Sequence, residues 1–151
     1  MMSRVFLTVL AGCLLVSLAR PATAAEPFCS NQAHATPAGV PANLVSRVGK
    51  TFQIDDSAVN AAAYVRCVGS KLIACYVGAN LICDKADTRR SLTGATAWCR
   101  ANPGSQFIPM SATGHGTIYQ WSCQGPRAVA GNASMHVDRQ GYIAENWKDV
   151  Q

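Results

Sequence analysis

Charged residues are scarce in this chain: they make up 14% of its 151 residues, whereas 49% are hydrophobic. A disordered chain would normally carry more charge and fewer apolar side chains, so the composition argues against that class. Runs of basic residues are also absent, and Arg89-Arg90 is the densest positive stretch. The sequence therefore gives no support for nucleic-acid binding, and its length suits one globular domain.

Long hydrophobic runs are limited to one, VFLTVLAGCLLVSL at residues 5–18, which follows the positive charge of Arg4. The run is short for a bilayer span, and the small residues of Ala22-Thr23-Ala24 come after it. We therefore predict a signal peptide over residues 1–24 that is cleaved before Ala25, which gives a periplasmic or secreted protein. No second long apolar run follows, so no transmembrane segment is predicted.

Leu10-Ala11-Gly12-Cys13 offers an alternative to cleavage before Ala25. In a lipobox the final cysteine is lipidated and becomes the new N-terminus, which would make the protein a lipoprotein anchored at Cys13. Few apolar residues precede Cys13, however, and the apolar run continues past it to Leu18. These two features favour the ordinary signal peptide.

Closely spaced cysteines are missing, since no two of the seven lie nearer than eight residues. Structural zinc sites and thiol–disulfide catalysts both use C-x-x-C pairs, so the spacing argues against both. Removal of Cys13 with the signal peptide leaves an even number of cysteines in an exported protein. We therefore predict three disulfides and no metal or cofactor. The cysteines concerned are Cys29, Cys67, Cys75, Cys83, Cys99 and Cys123.

The pairing of these cysteines stays open from the sequence. We expect Cys83 to pair with Cys99, which would tie the end of a strand to the following helix. A Cys67–Cys75 disulfide would need a three-residue loop between two strands, whereas a two-residue turn at Gly69-Ser70 would exclude it.

Hydrophobic periodicity predicts a small α+β domain at residues 44–151, behind an irregular proline-containing arm at 25–43. The domain should contain an antiparallel sheet with one or two helices, stapled by disulfides. The predicted strands are 64–68, 72–77, 81–83, 107–110, 117–123 and 135–138. The predicted helices are 44–50 and a segment from an N-cap at Ser91 through Ala101, with a helical turn in 142–150 that docks Trp147.

Four sequence motifs stand out: RC…AC..GANL.C from Arg66, WCRANPGS..IP from Trp98, GH.TIY.W.C from Gly114 and VD..GY…NW from Val137. Together they resemble the motifs of a group of small exported six-cysteine proteins of Gram-negative bacteria. The likeness covers roughly residues 58–150. It implies a protein exported by a Gram-negative cell, and it implies no activity and no functional residue.

His115 lies between two glycines, as is typical of an exposed loop on which an imidazole could act as a general base. A base also needs an orienting partner and a nucleophile. Asp138, Glu145 and Ser111 have suitable chemistry, but no motif such as G-x-S-x-G links them to His115. A histidine at the tip of a hairpin, without a catalytic role, is the alternative.

Two other groups of polar residues offer little. The three histidines, which include His34 and His136, share no metal-ligand spacing. Asp55-Asp56 and the pair Asp84 and Asp87 could provide two carboxylates for glycoside chemistry. Both pairs occur in polar segments read as turns or loops, where aspartate is common for backbone reasons.

Tyr119 and Trp121 fall on the same face of the predicted strand 117–123, where exposed rings would form a platform for a peptide or sugar. Burial in the core is the alternative for these rings, and it is favoured for Trp98 and Trp147. Arg66 is predicted to join the binding surface as a holder of carboxylates or other anions. A solvated side chain or a structural ion pair is its alternative.

These features favour a non-enzymatic binding or inhibitor-like module that recognises a protein, a peptide or an envelope glycan. A small hydrolase that uses His115 and a structural accessory subunit of an envelope complex are the alternatives. Removal of residues 1–24 deletes Arg4 and Arg20 and no acid, which lowers the formal charge from +5 to +3. A weak, salt-dependent preference for acidic partners or anionic surfaces is consistent with that charge.

Overall fold

A computed structural model describes residues 27–30 and 34–151. The predicted signal peptide, the cleavage position before Ala25 and the alternative lipidation of Cys13 lie outside these residues. Within them the chain forms an α+β fold with short antiparallel strands and three disulfides, as predicted.

The helices and strands are short. The α-helices of the described part are α1 (Val45–Phe52), α2 (Asp56–Ala62), α3 (Thr93–Ala101) and α4 (Met110–Thr113). Its strands are β1 (Ala38–Gly39), β2 (Ala63–Val68), β3 (Lys71–Tyr76), β4 (Tyr119–Gln124), β5 (Arg127–Ala133) and β6 (Lys148–Asp149). Strands β1, β2, β3 and β6 form one antiparallel sheet in that order, and β4 and β5 form a separate hairpin. The predicted arm therefore contributes one strand, β1, to the larger sheet.

The β2–β3 hairpin confirms the alternation expected at 64–68 and 72–77. Its turn consists of Gly69 and Ser70, and Gly69 has a φ of 60°, which glycine adopts at little cost. This two-residue turn places Cys67 opposite Leu72. A Cys67–Cys75 disulfide is thereby excluded, because these two cysteines do not face each other across the strands.

The disulfides join Cys29 to Cys67, Cys75 to Cys83, and Cys99 to Cys123. The predicted Cys83–Cys99 pair is therefore wrong. A tight turn, closed by backbone bonding between Gly78 and Leu81, returns Cys83 to β3. Cys99 belongs to α3, which packs against the β4–β5 hairpin instead of the larger sheet.

Several predicted elements take another form. The segment 107–110 is not an edge strand, because the chain turns into α4 at Met110. Residues 81–83 and 135–138 contribute only isolated bridges. Ser91 does not cap α3, which begins at Thr93. The segment 142–150 combines a 3-10 turn, Ala144–Asn146, with strand β6, and Trp147 is buried between them as expected.

The segment at Asp55, predicted as a turn, is the N-terminus of α2. The Asp55 carboxylate accepts hydrogen bonds from the Ala58 N–H at 2.8 Å and the Ser57 hydroxyl at 2.6 Å. This is an N-cap, and the Ser57 and Ala58 hydrogen bonds lower the pKa of Asp55. The carboxylate therefore has a structural role.

Three buried clusters form the core of the described part of the chain. Helices α1 and α2 cover one face of the larger sheet, where Val48, Val59 and Val65 are fully buried. The C-terminal segment covers the other face through Tyr142 and Trp147. The third cluster lies between α3 and the β4–β5 hairpin and includes the Cys99–Cys123 disulfide.

Arg66 is the largest fully buried side chain, with 0% of its surface exposed. The prediction that it holds an anion at the surface is wrong, because the C-terminal segment covers it. Its guanidinium lies 4.4 Å from the Tyr142 ring centre and 4.3 Å from that of Trp147. It forms an ion pair with Asp138 and donates a hydrogen bond to the side-chain oxygen of Gln140. The structural ion pair is thus the role that it takes.

The contact with Arg66 also affects the pKa of the Asp138 carboxyl. Burial raises the pKa of its carboxyl, but the Tyr142 N–H, the Arg66 guanidinium and the Gln140 N–H lower it by more, so the net direction is downward. A carboxyl with a lowered folded-state pKa stabilises the fold fully above its unfolded value, about 3.9. That stabilisation is lost as the pH falls through the folded-state value.

We expect Asp138→Asn to lower the free energy of unfolding near neutral pH by about 3–5 kcal/mol, because it leaves the buried charge of Arg66 without a counter-ion. The difference from the unchanged protein should begin to shrink below about pH 4, where the carboxylate of the unfolded chain takes up a proton, and it should vanish only below the lower folded-state pKa. Denaturant unfolding at several pH values measures both effects.

Asp149→Asn is the matched control, since its ion pair with Lys71 is exposed and spans 3.7 Å. Its effect should stay below about 1 kcal/mol. Equal losses from the two variants would contradict the central role of the buried pair.

Candidate functional site

A cleft of about 310 Å³ opens beside the β4–β5 hairpin. We call it the aromatic cleft and define it by its large side chains: Phe107, Met110, Tyr119, Trp121 and Met135. The polar residues along it are uncharged: Gln106, Thr113, Thr117, Gln120 and Ser134. Its chemistry is therefore suited to an apolar group with a few hydrogen bonds at the rim.

Phe107 is the most exposed of the large hydrophobic side chains in the described part of the chain, at 68%. Its neighbour Ile108 is buried and donates its N–H to the Trp121 carbonyl at 3.2 Å. The Cys123 N–H donates to the Ser105 carbonyl at 2.7 Å. The loop is thus fixed to β4 at two points, and because successive side chains of an extended chain alternate, the burial of Ile108 leaves Phe107 in solvent.

Helix α4 contributes Met110 to the lining of the cleft, where this side chain is 40% exposed. This helix packs closely on α3 at Gly94. A Cβ at Gly94 would lie 2.4 Å from the Ala112 carbonyl oxygen, so only glycine permits this approach. The close contact holds α4, and with it Met110, against the rest of the domain.

Tyr119 and Trp121 both line the cleft, but they differ in exposure. Trp121 is 5% exposed, belongs to the core cluster under α3, and donates its indole N–H to the Thr117 hydroxyl at 2.8 Å. Tyr119 is half-buried and meets Trp121 edge-on, with ring centres 6.5 Å apart. The predicted open platform of two rings is therefore replaced by a cleft with Tyr119 at its wall.

Arg90 stands behind Tyr119. Its guanidinium carbon lies 4.5 Å from the Tyr119 ring centre. One of its nitrogens, Nη2, donates to the carbonyls of Ala130 and Gly131 at 2.8 and 3.2 Å. The stacked ring and the two carbonyls fix the guanidinium in one orientation.

His115 is exposed on the loop before β4, and it has no hydrogen-bond partner among residues 27–30 and 34–151. The carboxylates considered as its partners are engaged elsewhere: Asp138 with Arg66, and Glu145 with His136. The structure therefore brings no orienting carboxylate to His115, and its reading as a catalytic base gains no support.

His136 and Glu145 form a contact that the sequence did not indicate. The His136 ring contacts the Glu145 carboxylate at 2.6 Å. The same carboxylate accepts a hydrogen bond from the backbone N–H of His136, and these contacts lower the pKa of Glu145. Ser134, the nearest hydroxyl in sequence, donates to the Ile118 carbonyl at 3.3 Å. The pair is exposed and contacts no nucleophile among residues 27–30 and 34–151, so these residues do not assemble a hydrolase triad.

The remaining candidates for acid–base or metal chemistry are dispersed. Asp87 pairs with Arg89 through contacts of 2.6 and 2.9 Å, and this arginine lowers the pKa of Asp87. His34 stacks on Phe28 with ring centres 4.1 Å apart. In the part of the chain that the structure describes, no three potential metal ligands come together.

No family model, curated protein or solved structure matches this chain. Among the described residues, no helix has the length and apolar character to cross a membrane.

Phe107, Met110 and Arg90 were missed as site residues by the sequence reasoning. Pro109 gave a usable signal, since a proline after two apolar residues suits a loop as well as an edge strand. Arg90 gave none, because its contact with Tyr119 joins residues that only the tertiary fold brings together.

We expect Phe107→Ser to change the free energy of unfolding by less than about 1 kcal/mol, because most of the ring is already in water. Trp121→Ala should cost about 3–5 kcal/mol, since it empties part of the core. Denaturant unfolding of both variants measures the difference. A large loss from Phe107→Ser would mean that the ring supports the fold, and would remove it from the candidate site.

Proposed function

We propose that the protein is an exported, non-enzymatic binding module that takes an apolar side chain of a protein or peptide partner into the aromatic cleft. The observation that carries the proposal is Phe107, a largely exposed ring on a loop that is fixed to β4 at two points. A well-held exposed apolar group without a role in the core is typical of a contact surface.

The rigidity of the cleft supports this function. The Cys99–Cys123 disulfide joins α3 to β4 beneath it, and Gly94 seats α4 against α3. A surface that is already ordered loses less conformational entropy when a partner binds. This property suits a binding or inhibitor-like module.

A polypeptide fits the cleft better than a glycan does. Sugar platforms use the open face of an aromatic ring with polar groups around it. Here Trp121 is almost buried, and the exposed lining comes from Phe107 and Met110. Aromatic and methionine side chains are enriched where proteins meet other proteins.

Export to the periplasm or the medium is part of the proposal. Three disulfides support an oxidising compartment, where such bonds form and persist. The predicted signal peptide of residues 1–24 agrees with it. The hydrolase alternative is weaker because His115 has no orienting partner in the described residues, and no observation favours a structural accessory subunit.

Site-specific photo-crosslinking tests the proposal. A photoreactive residue replaces Met110 at the cleft, or Val68 on the larger sheet as a control of similar exposure. The oxidised mature protein is then irradiated in an envelope extract of the producing cell. We expect one crosslinked product of defined mass from position 110 and none from position 68, identified by mass spectrometry.

Phe107→Ser, made in the Met110 probe, should abolish the product, whereas His115→Ala should leave it unchanged. The proposal is wrong if the probe at 110 captures nothing, or if its product survives Phe107→Ser. Loss of the product only in His115→Ala would favour the hydrolase.

A further inference from the structure

The aromatic cleft lies in a part of the chain that has no acidic residue. Residues 88–137 contain four arginines, no lysine, no aspartate and no glutamate, so their formal charge is +4 with neutral histidines. Every residue that lines the cleft belongs to this stretch. The eight acidic residues of the chain all lie outside it. Arg89 pairs with Asp87, just outside the stretch, so the mild net charge of the whole protein conceals a segment with three arginines beyond that pair and no acid of its own.

Arg90 brings one of these charges next to the cleft, through its contact with Tyr119, although it is not itself a lining residue. Its guanidinium stacks on Tyr119, a wall residue, and only its Nη2 is engaged, by two backbone carbonyls. Nε and Nη1 have no hydrogen-bond partner among the residues that the structure describes. Arg66 and Arg89, by contrast, each contact a carboxylate. Arg90 is thus a fixed cation with unused donors and no counter-ion within the described fold.

We infer that the partner is an acidic polypeptide segment, which places an apolar side chain in the aromatic cleft and a carboxylate against Arg90. This inference rests on the proposed function, and it adds the chemical class of the partner. A guanidinium already held in place offers a carboxylate directional donors without the entropic cost of ordering a long side chain.

Charge also argues against a second copy of this chain as the occupant. A two-fold dimer through the cleft would bring together the same surface of both copies. Each copy would present the same basic stretch, and like charges across an interface oppose association. The complementary partner is acidic at this surface.

Four synthetic peptides test the inference, each with capped ends and one central residue. Three carry a central phenylalanine flanked by aspartates, by serines or by lysines, and the fourth carries alanine between aspartates. Residues 25–151 contain just two methionines, Met110 and Met135, and both line the cleft. Isotope-labelled methionine methyl groups therefore report binding at the cleft directly by NMR titration.

We expect the aspartate–phenylalanine peptide to shift both methyl signals and to bind about tenfold more tightly than the serine peptide. The lysine peptide should bind more weakly still. Raising the salt concentration should lower the affinity for the aspartate–phenylalanine peptide toward that for the serine peptide, because salt screens exposed charges.

Arg90→Gln should lower the affinity for the aspartate–phenylalanine peptide about tenfold and leave the affinity for the serine peptide unchanged. Arg127→Gln is the matched control, since Arg127 lies opposite Gln124 next to the hairpin turn, whereas Arg90 is the arginine stacked on the Tyr119 ring. If Arg90→Gln fails to fold, the salt and peptide series on the unchanged protein still decide the question.

The outcomes separate the two proposals. Equal binding of the aspartate and serine peptides would overturn the acidic partner and leave the binding cleft intact. Failure of every phenylalanine peptide to shift the methyl signals would overturn both. Shifts that appear with rising protein concentration alone would indicate self-association, and shifts with anionic lipid vesicles but no peptide would indicate a membrane surface; either result would overturn the inference.

Discussion

The buried guanidinium of Arg66 constrains the whole C-terminal segment. A charge that is fully removed from water costs several kcal/mol unless it is paired and hydrogen-bonded. Asp138 pairs with the guanidinium, Gln140 accepts a hydrogen bond from it and the rings of Tyr142 and Trp147 cover it, all from one segment more than seventy residues away in sequence. Only its Nε lacks a hydrogen-bond partner among the described residues. Because these four residues must surround one side chain on β2, the segment has one position across the larger sheet, and β6 then pairs with β3 at its edge.

The buried ion pair and the aromatic cleft thus occupy different parts of the molecule. The larger sheet and the segments packed on it contain the buried ion pair and the Cys29–Cys67 and Cys75–Cys83 disulfides. The unit made by α3, α4 and the β4–β5 hairpin has its own small core and its own disulfide. Phe107 can therefore remain exposed, and Arg90 can remain without a counter-ion in the described fold, since neither side chain belongs to that core.

Local patterns predicted part of this arrangement. Alternation over 64–68 and 72–77 and the turn at Gly69-Ser70 identified the β2–β3 hairpin, because period and turn chemistry act over a few neighbouring residues. Tyr119 was correctly placed on a strand, but the rings of the cleft were expected to be open. The close packing of α3 on this hairpin, which buries Trp121, involves residues far apart in sequence and left no local signal.

The sequence by itself determined that six cysteines would form three disulfides in a small α+β fold, because composition, spacing and periodicity suffice for that. Tertiary structure alone decided which cysteines pair, since a disulfide requires two Cα atoms within about 7 Å and not any particular spacing. It also decided the fate of Arg66. Alternation places Arg66 on the same face of β2 as the exposed Tyr64 and Val68. Arg66 is buried only because the distant C-terminal segment covers this face at that residue.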